Sequence, residues 1–297
     1  MSENSESPEL QQDLSQVANH PGMVAVIHFL FENKVEIPSK EAVIEVMNKH
    51  LGNIEVFSHS EKVVGMAAKD FSTFFEEEKK TIPAQLLFTE CMEVDDSMLS
   101  DLDKTQLWEC KNSAEILEKC KYHIVATDMM AACLHYKDRA SMLVKYIEAI
   151  MELFPECKAF VFDNSKKMIS REIVEDNKIP ENRKFITYAV NTRFFNIAGT
   201  SDMMVDTVGM STLFQPDLQY HFHGVDPNSV VNHALNMITY MFDNDVEFKN
   251  NDKIDGVKDG KISPEVMWSL RYEDSLIQPL REVLDINMGE FASGTRQ

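Results

Sequence analysis

Residues 23–31 read MVAVIHFLF and residues 122–129 read YHIVATDM. Both are short runs dense in β-branched and aromatic residues, the pattern of buried strands. The same signals follow each. After the first, Pro38 and Ser39 open a helix, with Ser39 placed to accept a free amide at the N-cap. Ala42, Val43, Val46, Met47 and Leu51 recur at helical spacing, and Gly52 stops the helix. Two short strands are expected next, Ile54–Ser58 and Val63–Lys69.

After the second run, Asp138 can cap a helix whose face is Ala140, Leu143, Val144, Ile147, Ile150, Met151 and Phe154, and Pro155 ends it. Lys158–Phe162 and Lys167–Ile173 then read as strands around a DNSK turn. Residues 23–71 and 122–172 therefore share a strand–helix–strand–strand plan. Identity between the two is slight, so duplication rests on pattern, and a chance recurrence of this order in an α+β chain is the alternative. The expected fold is α+β: tandem βαββ units, a mostly antiparallel sheet, and helices packed on its faces.

The expected organisation is a frayed or partly helical arm over 1–21, a first βαββ-containing half over 22–120, a second unit over 121–180, and a C-terminal strand–helix–hairpin region over 181–297. Within the first half, Pro83–Thr89 is a further strand candidate, and Glu90–Asp103, with six acids and no base, reads as a solvated connection before a short helix at Ser113–Cys120. Phe185–Ile197 and Met203–Phe214 read as long neighbouring strands joined at Ala198–Ser201.

The chain has 297 residues, 29 basic and 49 acidic, for a net charge of −20, and 44% of it is apolar. That composition is globular rather than disordered. Without a basic cluster, this charge argues against nucleic acid, whose phosphates need Lys and Arg, and against an anionic membrane surface. The longest apolar run, Met23–Phe31, is interrupted by His28 and falls well short of the roughly 20 residues of a membrane helix. The first twenty residues carry four acids and no base, unlike a secretory signal. Cys91, Cys110, Cys120, Cys133 and Cys157 are odd in number and irregularly spaced, which suits reduced thiols in a cytoplasmic protein.

The C-terminal third holds the chemistry-bearing candidates. In the strand expected from Asp217, Leu218, Tyr220 and Phe222 point one way, and Asp217, Gln219, His221 and His223 the other. Gly224 breaks the strand, Asp226 caps the next helix, and Pro227 takes its first position. Two imidazoles on one strand face can take zinc or another first-row metal, completed by Asp217, Asp226 or His233. The plainer reading is a polar strand face beside a satisfied core histidine. Asp226, Asn228 and His233 are the binding candidates on the capped helix. Tyr272, Glu273, Asp274 and Arg281 belong to a polar cluster that either borders a pocket or pairs on the surface, Arg281 with Glu273 or Asp274. Asp243–Gly260 lacks calcium-loop spacing and reads as a hairpin with Asp-Gly turns. Gly256–Lys261 lacks both the spacing and the Ser or Thr of a phosphate loop.

The stretch YHFHGVDPNSVVNHALNMITYMFDN, the IDG hairpin and YEDSLIQPLREVLDIN, within Asp217–Gly294, resemble the bacterial proteins grouped as domain-of-unknown-function family 4261. The segments Thr127–Ala131 and Tyr136–Arg139 are similar to longer members of that family. The resemblance implies a bacterial cytoplasmic protein and supplies no activity. Two functions are expected. The first is a non-enzymatic protein-interaction module, one form being an immunity-type antagonist, whose acidic surface binds a basic protein. The second is a metal-assisted hydrolase or small-ligand sensor centred on His221 and His223.

Overall fold

The computed structural model describes residues 24–76, 79–176 and 178–294. The arm expected over 1–21 lies outside the described residues. The chain divides into two compact units, one containing 24–190 with 212–214 and the other 191–211 with 215–294. The fold is α+β, with mainly antiparallel sheets.

The N-terminal unit begins with the two βαββ runs. In the first, β1 (Val26–Phe31) leads to α1 (Lys40–Leu51), β2 (Ile54–His59) and β3 (Val63–Phe75). The Ser39 hydroxyl accepts the Ala42 amide at 3.2 Å and caps α1. Val43, Met47 and Leu51, at the expected spacing, are its buried face, each contributing about 1.5–3 kcal/mol by leaving water. Gly52 ends α1 at φ 82, and a Cβ there would lie 2.1 Å from the Asp70 carboxylate, which accepts the Asn53 amide.

Next come β4 (Lys80–Thr89), β5 (Met92–Glu93), α2 (Asp101–Thr105) and α3 (Ser113–Lys119). The second run is β6 (Tyr122–Met129), α4 (Tyr136–Leu153), β7 (Ala159–Phe162) and β8 (Lys167–Ser170), followed by α5 (Arg171–Glu175) and α6 (Lys184–Ala189). Among the described residues these strands form one sheet in the order β2-β3-β4-β6-β1-β7-β8, with β5 also paired to β6. The two βαββ runs thus interleave: β1 lies between β6 and β7, antiparallel to both.

Several boundaries differ from the sequence expectation. Glu90–Asp103 is not merely solvated: it forms β5, a 3-10 turn and the start of α2, and its Met98 and Leu99 join Leu107, Ile116 and Met168 in a buried cluster. The α4 cap is His135, whose Nδ1 accepts the Lys137 amide, and Asp138 instead occupies the first turn, where its charge suits the helix dipole. The strand expected to Ile173 stops at Ser170. There the Arg171 guanidinium turns back to the Met151, Phe154 and Cys157 carbonyls, satisfying the end of α4. Residues 185–189 are helical rather than extended, because Phe185 packs on Phe162 and Tyr188 on Phe160, and Lys184 pairs with Glu148 of α4. A run apolar on all sides does not by itself separate buried strand from buried helix.

Asp128 and Arg139 are completely buried in this unit. The Arg139 Nε and Nη2 donate to the Asp128 carboxylate at 2.8 and 3.0 Å, and Nη1 donates to the Thr212 carbonyl. The Ala25 amide donates to the same carboxylate at 2.6 Å. One ion pair therefore ties β6, α4, the chain before β1 and residues 212–214.

The C-terminal unit holds β9 (Asn191–Asn196), β10 (Met203–Val208), β11 (Asp217–Phe222), α7 (Pro227–Asn244), β12 (Lys253–Lys258), β13 (Lys261–Asp274) and β14 (Glu282–Asn287). Among the described residues its sheet order is β12-β13-β14-β11-β10-β9, and only the β11–β14 pairing is parallel. The expected strand to Phe214 stops at Val208, and a 3-10 turn covers Met210–Leu213. The Asp226 cap, Pro227 and the buried stripe Val230, Ala234, Met237, Ile238 and Met241 form as read from the sequence. Asp259 and Gly260, at φ 51 and 74, make the β12–β13 turn.

Asp128→Leu leaves a buried guanidinium without its counter-ion and is expected to cost about 3–5 kcal/mol in urea unfolding, whereas Asp128→Leu combined with Arg139→Met is expected to cost less than that single change. A double variant worse than the sum of its singles would contradict this role for the pair.

Candidate functional site

Cross-strand pairing builds the main polar constellation of the C-terminal unit. Arg193 on β9 lies directly opposite Asp206 on β10. Its Nε donates to one Asp206 oxygen at 2.9 Å and its Nη2 to the other at 2.5 Å. Arg281, just before β14, donates from Nη2 to the Asp206 carboxylate and to the Thr207 carbonyl, each at 2.8 Å. Its Nε is 3.2 Å from the Asp217 carboxylate. Asp217 in turn accepts the amides of Gly209, Met210 and Ser211 and the Thr207 hydroxyl. This is why β10 breaks at Gly209: the backbone turns to aim three amides at one carboxylate.

The loop after β13 wraps the same guanidinium. Arg281 Nη1 donates to the Ile277 and Pro279 carbonyls, and the Ser275 hydroxyl accepts the Arg281 amide. Gln219 on β11 donates to Asp285 and accepts the Leu276 amide. Arg281 is therefore not the surface partner of Glu273 or Asp274; Glu273 pairs with Arg271 instead. An arginine forking between buried carboxylates has a geometric match that an exposed pair lacks.

The two carboxylates respond oppositely to burial. For Asp206, burial pushes the carboxyl up, but Arg193 and Arg281 together overcome it and hold it below the usual 3.8. For Asp217, burial outweighs Arg281 and the three amides, and its carboxyl is raised above 3.8. Asp206 thus adds stability that is present above pH 3.8 and lost as pH falls through its lowered value. Asp217 acts with the opposite sign, withdrawing stability as pH rises from 3.8 through its raised value.

The residues singled out from sequence are dispersed around this network. His233 on α7 is buried: its Nε2–H donates to the Asp255 carbonyl at 2.7 Å, so its Nδ1 accepts the Tyr220 hydroxyl at 2.8 Å. Burial lowers its affinity for a proton, which keeps this tautomer neutral. Trp268 packs on both rings. His221 Nε2 lies 3.6 Å from the Asp202 carboxylate, with Gly294 packed against the ring. His223 Nδ1 meets the Ser293 hydroxyl at 3.0 Å instead. Asp226 caps α7 through Ser229, and Asn228 donates to Asp226 at the surface. Tyr272, Glu273 and Asp274 run consecutively along the end of β13, with Asp274 exposed. Among the described residues, no group of three or more His, Cys, Asp and Glu side chains converges as a metal site requires.

Two open clefts of the N-terminal unit share a border at Lys34, Val35 and Glu36. One, of ≈ 490 Å³, is bordered by Glu32, Lys34, Leu153 and Lys158, and the other, of ≈ 610 Å³, by Glu36, His59, Glu90 and Cys91. Burial raises the Cys91 thiol, so it is a poor thiolate source. Nothing in the local spacing of Arg193 and Asp206 signals a pair made across two strands, although alternation within β9 and β10 puts both on one face.

The profile of the domain of unknown function DUF4261 matches residues 206–287. The match takes in Asp206, Asp217, Gln219, Arg281 and Asp285 and leaves out Arg193. No curated protein and no solved structure matches the chain. No helix among the described residues is long and apolar enough to cross a membrane.

Arg281→Met removes the shared cation from two buried carboxylates and is expected to lower unfolding stability by about 3–5 kcal/mol, read from urea titration at neutral pH. A loss under about 1 kcal/mol, the range of an exposed pair, would contradict the network.

Proposed function

We propose that this is a soluble, cytoplasmic, non-enzymatic interaction protein whose acidic surface binds a basic protein, immunity-type antagonism of a cationic toxin being one form of that activity. The observation that carries the reading is the separation of charge: the chain is −20 overall, yet the arginines of the C-terminal network are spent internally on Asp206 and Asp217. The negative excess therefore faces outward, where complementary charge speeds encounter and fixes partner choice. The polar side chains of the C-terminal motif that look reactive in sequence, Asp217, His233 and Arg281, are turned inward onto partners.

Capture from the native cell, followed by binding of the purified partner across a salt series, tests this reading. The expected result is a basic partner whose association slows as salt screens the charges. Recovery of no partner, or of one indifferent to salt, would contradict it.

The second reading, a metal-assisted hydrolase or small-ligand sensor at His221 and His223, has one observation in its favour, the Asp202 carboxylate beside His221. It predicts stoichiometric zinc or another first-row metal in untagged protein by elemental analysis, lost in His221→Ala. Metal-free protein whose thermal stability does not respond to added zinc would remove it.

A further inference from the structure

Outside the C-terminal network, the N-terminal unit places two histidines ring to ring inside a sheet. His28 on β1 and His123 on β6 are diagonal cross-strand neighbours, and their Nδ1 atoms stand 3.1 Å apart. At that distance one nitrogen donates and the other accepts. His123 is buried, and a short segment is laid over it: β5 pairs Met92 with His123, the Val94 amide donates to the Lys121 carbonyl, and the chain turns through Asp96–Met98. Met98 and Leu99 at the end of this segment bury against Leu30, Ala159 and Val161 of the sheet.

The charged groups facing the pair come from two elements. Asp163, in the β7–β8 turn, has its Oδ1 3.4 Å from His28 Nε2 and 2.5 Å from Lys166 Nζ, and Lys166 also donates to the Met98 carbonyl. Asp95, in the covering segment, acts on His123 electrostatically. On β4, Thr89 contributes a hydroxyl that accepts the Val125 amide.

We propose that the His28–His123 pair is a proton-operated latch that holds residues 92–99 on the sheet while it carries at most one extra proton. With the pair neutral, the His28 Nε2–H faces Asp163, and the His123 Nδ1–H donates to His28 Nδ1. A first added proton is taken up at His123 Nε2, while the bridging proton passes to His28. His28 is then the imidazolium beside Asp163, and the bridge survives with its direction reversed. A second proton leaves both Nδ1 atoms as donors, so the bridge is lost and two cations face each other under the covering segment. Burial, and after it the neighbouring His28, already push the His123 ring down to about 4. Its backbone is held by the two-residue β5 and a few carbonyl contacts, with Met98 and Leu99 as its apolar anchor, and it is the element that yields.

Hydrogen exchange of the full-length protein, corrected for intrinsic rate and followed from about pH 7 to below pH 4, tests the latch. Protection of residues 92–99 is expected to fall about tenfold per pH unit once the second proton is taken up, the slope of an opening linked to one proton. Amides of α4 and β1 are expected to stay protected over the same range. His123→Phe, which cannot take that proton, is expected to abolish the acid step. Persistence of the step in this variant, or unchanged protection of 92–99 in the wild type, would overturn the proposal. Imidazole nitrogen resonances of the wild type give an independent reading should His123→Phe fail to fold. One ring titrating well below the other supports the latch, and two rings titrating alike near 6.5 would overturn it.

Discussion

The Asp217 carboxylate, fully buried at the first residue of β11, is the constraint around which the C-terminal unit is arranged. A buried carboxylate is tolerated only when its lone pairs are met. Here three successive amides and a hydroxyl meet them, and the Arg281 guanidinium stands beside them as counter-charge. Those partners dictate the local chain path: β10 ends at Val208, the next residues form a tight turn, and the loop before β14 folds around Arg281. Arg281 then joins Asp217 to Asp206, and Asp206 joins Arg193, so that three adjacent strands and the loop before β14 share one charged core. The Asp128–Arg139 pair does the same work for the N-terminal unit with fewer members.

This arrangement bears on function by deciding which polar groups remain available. Asp217, Gln219, His233, Arg281 and Asp285 are the residue types from which active sites are built, yet each is buried and paired here. Desolvation offsets much of the attraction in a buried ionic network, so its net worth is small beside the loss when one partner is removed. For β11, whose six residues are all buried, the network fixes strand order and register where apolar packing alone would accept a slip. On the interaction reading proposed above, recognition falls to the surface.

The sequence made much of the fold legible. The strands at Val26 and Tyr122, the Ser39 and Asp226 caps, the Gly52 stop and the Asp259-Gly260 turn all announce themselves through local chemistry. Misreadings cluster where tertiary contacts decide. Phe185–Ala189 is apolar enough for either a strand or a helix, and only packing on Phe160 and Phe162 selects the helix. Residues 90–103 look solvated by charge count, but Met98 and Leu99 anchor them. At the candidate site, His221 and His223 stand out by spacing, although each is engaged by a different neighbour. Local spacing does not pair Arg193 with Asp206 or His28 with His123, because each partner comes from another strand.

Asp206 and Asp217 sit in one buried charged network that treats them unequally. Carboxyl-carbon titration of both residues in the folded protein tests it most directly. One carboxyl is expected to titrate below 3.8 and the other above it, with Arg281→Met moving both upward. Two ordinary titrations near 3.9, unmoved by Arg281→Met, would mean that solvent reaches these groups and that the C-terminal unit is organised by something else.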